Sequence, residues 1–351
     1  MGNMGSGRCW FCPLFLYFPF FCGIVFFCAG WGSSHKPFVR ILFGGDVILG
    51  RHHIDSWRKG RLTSLLTGIH QPIGEADFTV VNLEGCLSVR GQRAEKEYTF
   101  RAPPQFARIL RQDGVDLASL ANNHSRDFGA DALLDTLAHL RREGIVPFGA
   151  GPNRDSAFQP VFLQKSGIRL LLFGLTEIVP VGFEAGPNRP GVAAMRGDWE
   201  SVVAHKMQKW GDSVAAAIAF VHWGTEGSFH SDNRQRRALQ ALLRLGFDAI
   251  VGHHPHRPQG IGVVNGSVVA YSLGNLVHTP TSLWGRRGLL LSLDVTADGI
   301  QSARLIPILI EGGLPTVAHQ EEKQIILEKV RQVSGSLGHQ IADDGAFPVN
   351  L

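Results

Sequence analysis

Phe247-Asp248-Ala249-Ile250-Val251-Gly252-His253-His254-Pro255-His256 is the stretch on which the fold turns. Its first half is a short apolar run between Gly246 and Gly252, which predicts a buried strand. Three imidazoles follow within four residues, where the strand gives way to a loop. Site residues of an open α/β sheet stand at that place. A His-x-His pair can aim two neutral ring nitrogens into one pocket, which suits a transition metal. Whether it does so depends on other donors arriving at the same point.

Working outward, the same pattern recurs. Phe38–Phe43 predicts a strand ending at Gly44-Gly45-Asp46, and Ala76–Val81 one ending at Asn82-Leu83-Glu84. Val115–Leu120 ends at Asn122-Asn123-His124, and Ala215–Val221 at His222-Trp223-Gly224. Taken singly, Gly45-Asp46 is an ordinary turn, the paired asparagines tolerate a left-handed backbone, and His222 is an ordinary core histidine. Five polar clusters, each at a strand end, are a different matter, because parallel strands line up their carboxyl ends along one edge. Carboxylate, carboxamide and imidazole together suit a divalent metal such as Mn, Fe or Zn. Cys86 alone falls in the folded part, which rules out a sulfur site there.

Between these strands lie helical patterns: Ile54–Ile69, Pro104–Gln112, Ala130–Glu143 with Gly144 as its stop, Asp198–Trp210, and Ser231–Leu245 capped by Ser231 or Asp232. Alternation of strand and helix argues for mostly parallel sheets with helices outside. Further strands are expected over Ile145–Phe148, Val161–Lys165, Ile168–Leu175, Gly260–Val264, Ser267–Ser272, Leu289–Val295 and Ala303–Ile310. An amphipathic helix over Glu321–Val333 and a polar, frayed tail complete the chain.

The 351 residues include 42 glycines and carry a net charge of +4, with no basic stripe interleaved with aromatics, so nucleic acid is not an expected partner. From Cys9 to Ser34 no residue is charged. That run is long enough for an uncleaved membrane anchor, yet it ends in small residues that suit signal cleavage. Residues 1–35 are therefore expected to target the membrane, with residues 36–312 as the main domain and 313–351 as a helix and tail. The folded part is expected on the extracytoplasmic face or secreted.

The motif series Gly45-Asp46 with Gly50-Arg51, Asn82-Leu83-Glu84-Gly85, Ala121-Asn122-Asn123-His124-Ser125-Arg126-Asp127, Gly149-Ala150-Gly151-Pro152-Asn153, His222-Trp223-Gly224-Thr225-Glu226, His254-Pro255-His256 and Tyr271-Ser272-Leu273-Gly274-Asn275 resembles the CapA-type family of poly-gamma-glutamate capsule synthesis, over about residues 38 to 312. That family resembles the calcineurin-like metallophosphoesterases, which implies an α/β fold, a four-layer α/β/β/α sandwich with metal at the strand ends. The resemblance further implies Asp46, Glu84, Asn123, His222, His254 and His256 as metal ligands, with His253 a spare. It implies His124, oriented by Asp127, as acid or base. Arg51 is expected to meet an anionic oxygen, and Asn82, Asn122 and Glu226 to bind substrate. One departure stands out: a two-metal esterase begins Asp-x-His, and residue 48 is Ile, so His52 or His53 would have to return to complete that position.

Three functions follow as expectations. The first is a metal-dependent hydrolase acting on a phosphoester or an amide of an envelope polymer. The second is a non-catalytic subunit of a membrane polymer-synthesis complex, binding an anionic polymer. The third is a general extracytoplasmic phosphoesterase.

Overall fold

The central strands of the two sheets are apolar on both faces, and the alternation shows where each face goes. Within the first strand, Val39–Val47, Ile41 and Phe43 point to one side and Leu42 to the other. Strands buried on both sides need a layer on each. The structure, a computed structural model, describes residues 37–210, 213–335 and 340–349. The expected membrane-targeting segment lies outside these residues.

Two sheets face each other. The larger runs in the order Leu314–Val317, Gly299–Glu311, Arg287–Thr296, Val39–Val47, Phe78–Leu83, Leu117–Ser119, Val146–Phe148. Its last four strands are parallel and its first three antiparallel. The second sheet has a parallel centre, Ile168–Thr176, Ala216–His222, Ala249–His253 and Ser267–Ala270, with antiparallel edges Val161–Lys165 and Ile261–Val264. Ile41, Phe43 and Val80 of one sheet share a core with Leu172, Ile218, Phe220 and Val251 of the other. The Phe43 and Phe220 rings meet there at 5.8 Å.

Helices cover the outer faces. Phe106–Gln112 and Gly129–Arg142 bury Phe106, Leu110, Leu133, Leu137 and Leu140 against Leu42, Val81 and Ala118. Trp199–Gln208 and Asn233–Arg244 bury Val203, Leu239 and Leu242 against Phe173, Ala219 and Ile250. The layer order is helix, sheet, sheet, helix. Asp232 caps Asn233–Arg244 in a reciprocal box with Gln235.

Two expectations are corrected. The helix expected over Ile54–Ile69 is Arg51–Arg58, because Gly60 follows in the left-handed region (φ 67°) and turns the chain away. Within the described tail residues 340–349 the chain is held on the sheet and not frayed: Ala346 and Phe347 pair with Arg304 and Ala303, and Phe347 and Val349 are buried. Alternating apolar residues in the polar tail give it a face to bury.

The joint between the first strand and the segment Gly274–Asn275 is tight at Gly45. A Cβ there would lie 1.8 Å from the Gly274 carbonyl oxygen, so only glycine lets Asp46 reach its place beside Asn275. Gly45→Ala forces two backbones apart. The expected loss is about 3 kcal/mol, the upper end for overpacking, because a backbone cannot change rotamer. The urea midpoint measures it, and an unchanged midpoint would show the joint to be slack.

Candidate metal centre

The carboxyl ends of Val39–Val47, Phe78–Leu83, Leu117–Ser119, Ala216–His222 and Ala249–His253 converge at one edge of the two sheets. Asp46, wholly buried, is the hub. Its Oδ1 accepts from Asn82 Nδ2 at 2.8 Å and its Oδ2 from the backbone N–H of His254 at 3.2 Å. His256 Nδ1 lies 3.1 Å from Oδ2, and His253 Nδ1 3.6 Å from Oδ1. Burial alone would raise the Asp46 carboxyl; the hydrogen bond from His256 and the charges of His256 and His253 hold it well below the usual carboxylate range.

A carboxamide ladder sets the spacing. Asn122 Nδ2 donates to Asn82 Oδ1 at 3.0 Å, and Asn122 Oδ1 accepts from the backbone of His124 and the hydroxyl of Ser125. Asn123 Oδ1 lies 2.8 Å from His222 Nε2. The paired asparagines thus divide the work: Asn122 shapes the turn and Asn123 faces the cluster.

Donor atoms of Asp46, His222 and His253 all lie within 4.8 Å of one another, and so do those of Glu84, His254 and His256. His253 is therefore no spare: its Nδ1 meets His222 Nδ1 at 2.7 Å. Glycine at 252 makes this possible, since a Cβ there would strike Tyr271 O at 2.1 Å and Trp223 Nε1 at 2.3 Å. His254 and His256 hold φ of 102° and 56°, a backbone region that costs a side-chain-bearing residue about 1–3 kcal/mol. Strain of this kind persists where the surroundings dictate the aim of a side chain.

The donors fit a cation. Both Glu84 oxygens, His253 Nε2 and His254 Nδ1 are buried with no hydrogen-bond partner. Buried polar atoms left without a partner are costly for a fold to keep. Burial lowers His253 to about 4 and His254 to about 3, and lowers His222 well below its usual value, so these rings are neutral donors. Burial and the Asp46 charge push Glu84 well up. For His256, burial works downward, but the charge of Glu84 and the bond to Asp46 outweigh it and raise the ring to about 10.

His124 stands beside this cluster. Its Nδ1–H donates to Asp127 Oδ2 at 2.6 Å, and its Nε2 lies 3.8 Å from Glu84 Oε1. Lys96 ties the same place together, donating to Asp127 Oδ1 at 2.7 Å and to the Asn123 carbonyl at 2.6 Å. The cluster opens into a cleft of about 430 Å³ lined by His124, His256, Glu226, Arg257 and His278, among others.

Arg51 is not in this cleft. It is the first residue of its helix, its side chain is 95 % exposed, and it pairs with Asp55 at 3.5 Å one turn on. The helix start points it to solvent. Neither His52 nor His53 completes the Asp46 position. His52 is exposed, and His53 Nε2 bonds the Gly313 carbonyl at 3.0 Å. Ile48, buried, instead takes a backbone bond from its N–H to Val277 O, which sets it next to His278. The His278 ring stacks on His256 at 5.9 Å.

Lys96, Asn275 and His278 complete the surroundings. Asn275 Oδ1 is 3.0 Å from His256 Nδ1. Asn275 ends the motif Tyr271–Asn275 and was visible there; Lys96 and His278 sit in stretches with no pattern, and only the folded chain brings them in.

The model of the family described as bacterial capsule synthesis protein PGA_cap matches residues 40–280, which hold every donor named above. Curated relatives are similar over most of the chain. The PGA biosynthesis protein CapA of Bacillus subtilis (strain 168) is 27 % identical over 292 residues, 82 % of this chain and 76 % of the relative. The capsule biosynthesis protein CapA of Bacillus anthracis is 26 % identical over 277 residues, 77 % and 67 % respectively. A polyglutamine synthesis accessory protein of Mycobacterium tuberculosis (strain ATCC 25618 / H37Rv) is 26 % identical over 359 residues, 88 % and 94 % respectively. The chain belongs to the bacterial capsule synthesis protein PGA_cap family.

Proposed function

We propose that this chain serves envelope-polymer synthesis as a metal-dependent hydrolase, cutting a link of an anionic polymer of the poly-gamma-glutamate type. One observation carries the reading. His124 is fixed by Asp127 at one ring nitrogen, while the other faces Glu84 at the rim of the two donor groups. A purely structural metal site has no use for an oriented imidazole at its edge; acid–base chemistry does.

Asp46, His222 and His253 would hold one divalent ion, Mn, Zn or Fe, with Glu84, His254 and His256 as the donors for a second; Asn123 stands beside His222 to support the first. A bound ion would supply Lewis acidity to the scissile carbonyl or phosphoryl group and ease ionisation of an attacking water. His124 Nε2 would hold the proton that the leaving group takes. The layer order and the strand-end donors support a metallophosphoesterase-like reading of the fold. The uncharged run from Cys9 to Ser34 supports membrane attachment with this domain on the extracytoplasmic face.

A second reading, a non-catalytic polymer-binding subunit of a synthesis complex, is favoured by Ile48, which sets an apolar side chain in the cleft beside the donors. The purified chain is expected to carry Mn, Zn or Fe and to hydrolyse an aryl phosphodiester or a gamma-linked glutamate oligomer. His254→Ala is expected to lose both properties. A chain free of metal by elemental analysis, with hydrolysis unchanged in His254→Ala, would remove the catalytic reading.

A further inference from the structure

From His256 outward, the cleft is continued by a track of cations and aromatic faces. Arg257, the next residue, lines the same cleft, and its guanidinium lies 4.8 Å over the Phe229 ring. Phe229 meets Trp284 edge-on at 5.2 Å. The Lys329 ammonium lies 5.4 Å from the centre of the first ring and 5.7 Å from the second. Four parts of the chain, the loop that holds Phe229, the His-Pro-His loop, the turn at Trp284 and the C-terminal helix, therefore meet on one surface.

The cations there are not all alike. Arg287, 4.6 Å over the Trp284 ring, is buried and held in a two-pronged pair with Glu322. Arg257 and Lys329 have no carboxylate partner among the described residues, and Lys329 reaches only the amide oxygen of Gln332. Two cations without counter-charge, leaning on aromatic rings beside the cleft, form a surface for an anion that also carries apolar groups.

We infer that Arg257, Phe229, Trp284 and Lys329 form a subsite for a linear polycarboxylate entering the metal centre. This rests on the reading that the cleft acts on an anionic polymer. The cations take the carboxylates of successive repeats, and the ring faces take the methylene groups between them. A chain of phosphates supplies the charge and lacks the methylene groups, so the aromatic half of the track selects the polycarboxylate.

The test uses the full chain in detergent, loaded with Zn, and measures the affinity for a gamma-linked glutamate oligomer, a glutamine oligomer and inorganic polyphosphate by calorimetry. The glutamate oligomer is expected to bind more tightly than the other two, and more weakly as salt rises. Arg257→Ala with Lys329→Ala is expected to weaken it roughly tenfold to a hundredfold, as the loss of two charge-assisted contacts implies. Zn content is expected to stay unchanged. Arg257→Lys with Lys329→Arg, which keeps both charges, is expected to retain most of the affinity, and Phe229→Ala to weaken the glutamate oligomer more than polyphosphate. Oligomer affinity unchanged in the double alanine variant would overturn the subsite while leaving the catalytic reading in place. Polyphosphate bound as tightly as the glutamate oligomer would overturn the polycarboxylate assignment. Failure of the wild-type chain to bind any oligomer, with metal present, would overturn both the subsite and the polymer reading.

Discussion

Asp46→Asn should leave a folded chain that binds a divalent ion far more weakly than the unsubstituted chain. The substitution keeps the shape of the side chain and removes the charge on which both donor groups lean. His253 and His256 lie 3.6 and 3.1 Å from its oxygens, one from each group. Changes in outer-shell partners cost about 10–100-fold in metal affinity, so removing a charge shared by both groups should cost more than about 100-fold. An amide also sets an N–H against one of the donors that Asp46 now satisfies, Asn82 or the His254 backbone, at about 1–3 kcal/mol. Circular dichroism separates that loss from unfolding, and elemental analysis after dialysis reads the metal. Asp46→Asn with undiminished metal would mean that the cluster is not the binding site.

The wild-type centre should also release protons as it fills. Without metal, Glu84 and His256 hold protons that a cation displaces: His256 is raised to about 10 by Glu84 and Asp46, and Glu84 is itself pushed up by burial and by Asp46. Affinity therefore rises with pH until these groups have lost their protons. His253 and His254, lowered by burial to about 4 and about 3, add nothing to that slope near neutral pH.

The donors were legible because each ends a strand, and strand ends are visible as a change from apolar to polar residues. Asp46, Glu84, His222 and His254 all follow from that single rule together with parallel order. The same rule failed at His253. Counting side chains along the strand leaves its aim undecided, because the loop that follows runs through left-handed residues at 254 and 256. It failed at Arg51 for a different reason: a residue just past a strand end looks equally near the site whether the next helix turns it in or out. Lys96 lies in the loop at residues 90–100, whose pairing with Asp127 exists only after two segments distant in sequence fold together. The sheet layers were legible for the opposite reason. Runs apolar at every position, such as Leu170–Phe173 and Ala216–Val221, can exist only between two other layers.

Whether the centre cuts or merely holds a polymer comes down to Asp127→Asn. Asp127 is wholly buried, touches no donor of either metal group, and holds Nδ1 of His124 at 2.6 Å. A catalytic centre needs that hold to fix which ring nitrogen carries the proton. Loss of an oriented acid–base group costs about 10²–10⁴-fold in rate. Asp127→Asn should therefore lower kcat by that order while metal content and oligomer affinity stay near wild type. The pH profile adds a signed check. Burial lowers His124, and the bond and charge of Asp127 push it back up. With Asp127 neutralised, His124 drops further, so an alkaline limb that depends on its protonated form should move to lower pH. Lys96, which pairs with Asp127 at 2.7 Å, loses its counter-charge in this variant and presses in the same direction. A polymer-binding subunit predicts otherwise: polymer production and binding would survive Asp127→Asn with no rate to lose. Production abolished with metal, binding and assembly intact would leave chemistry at His124 as the role of the site.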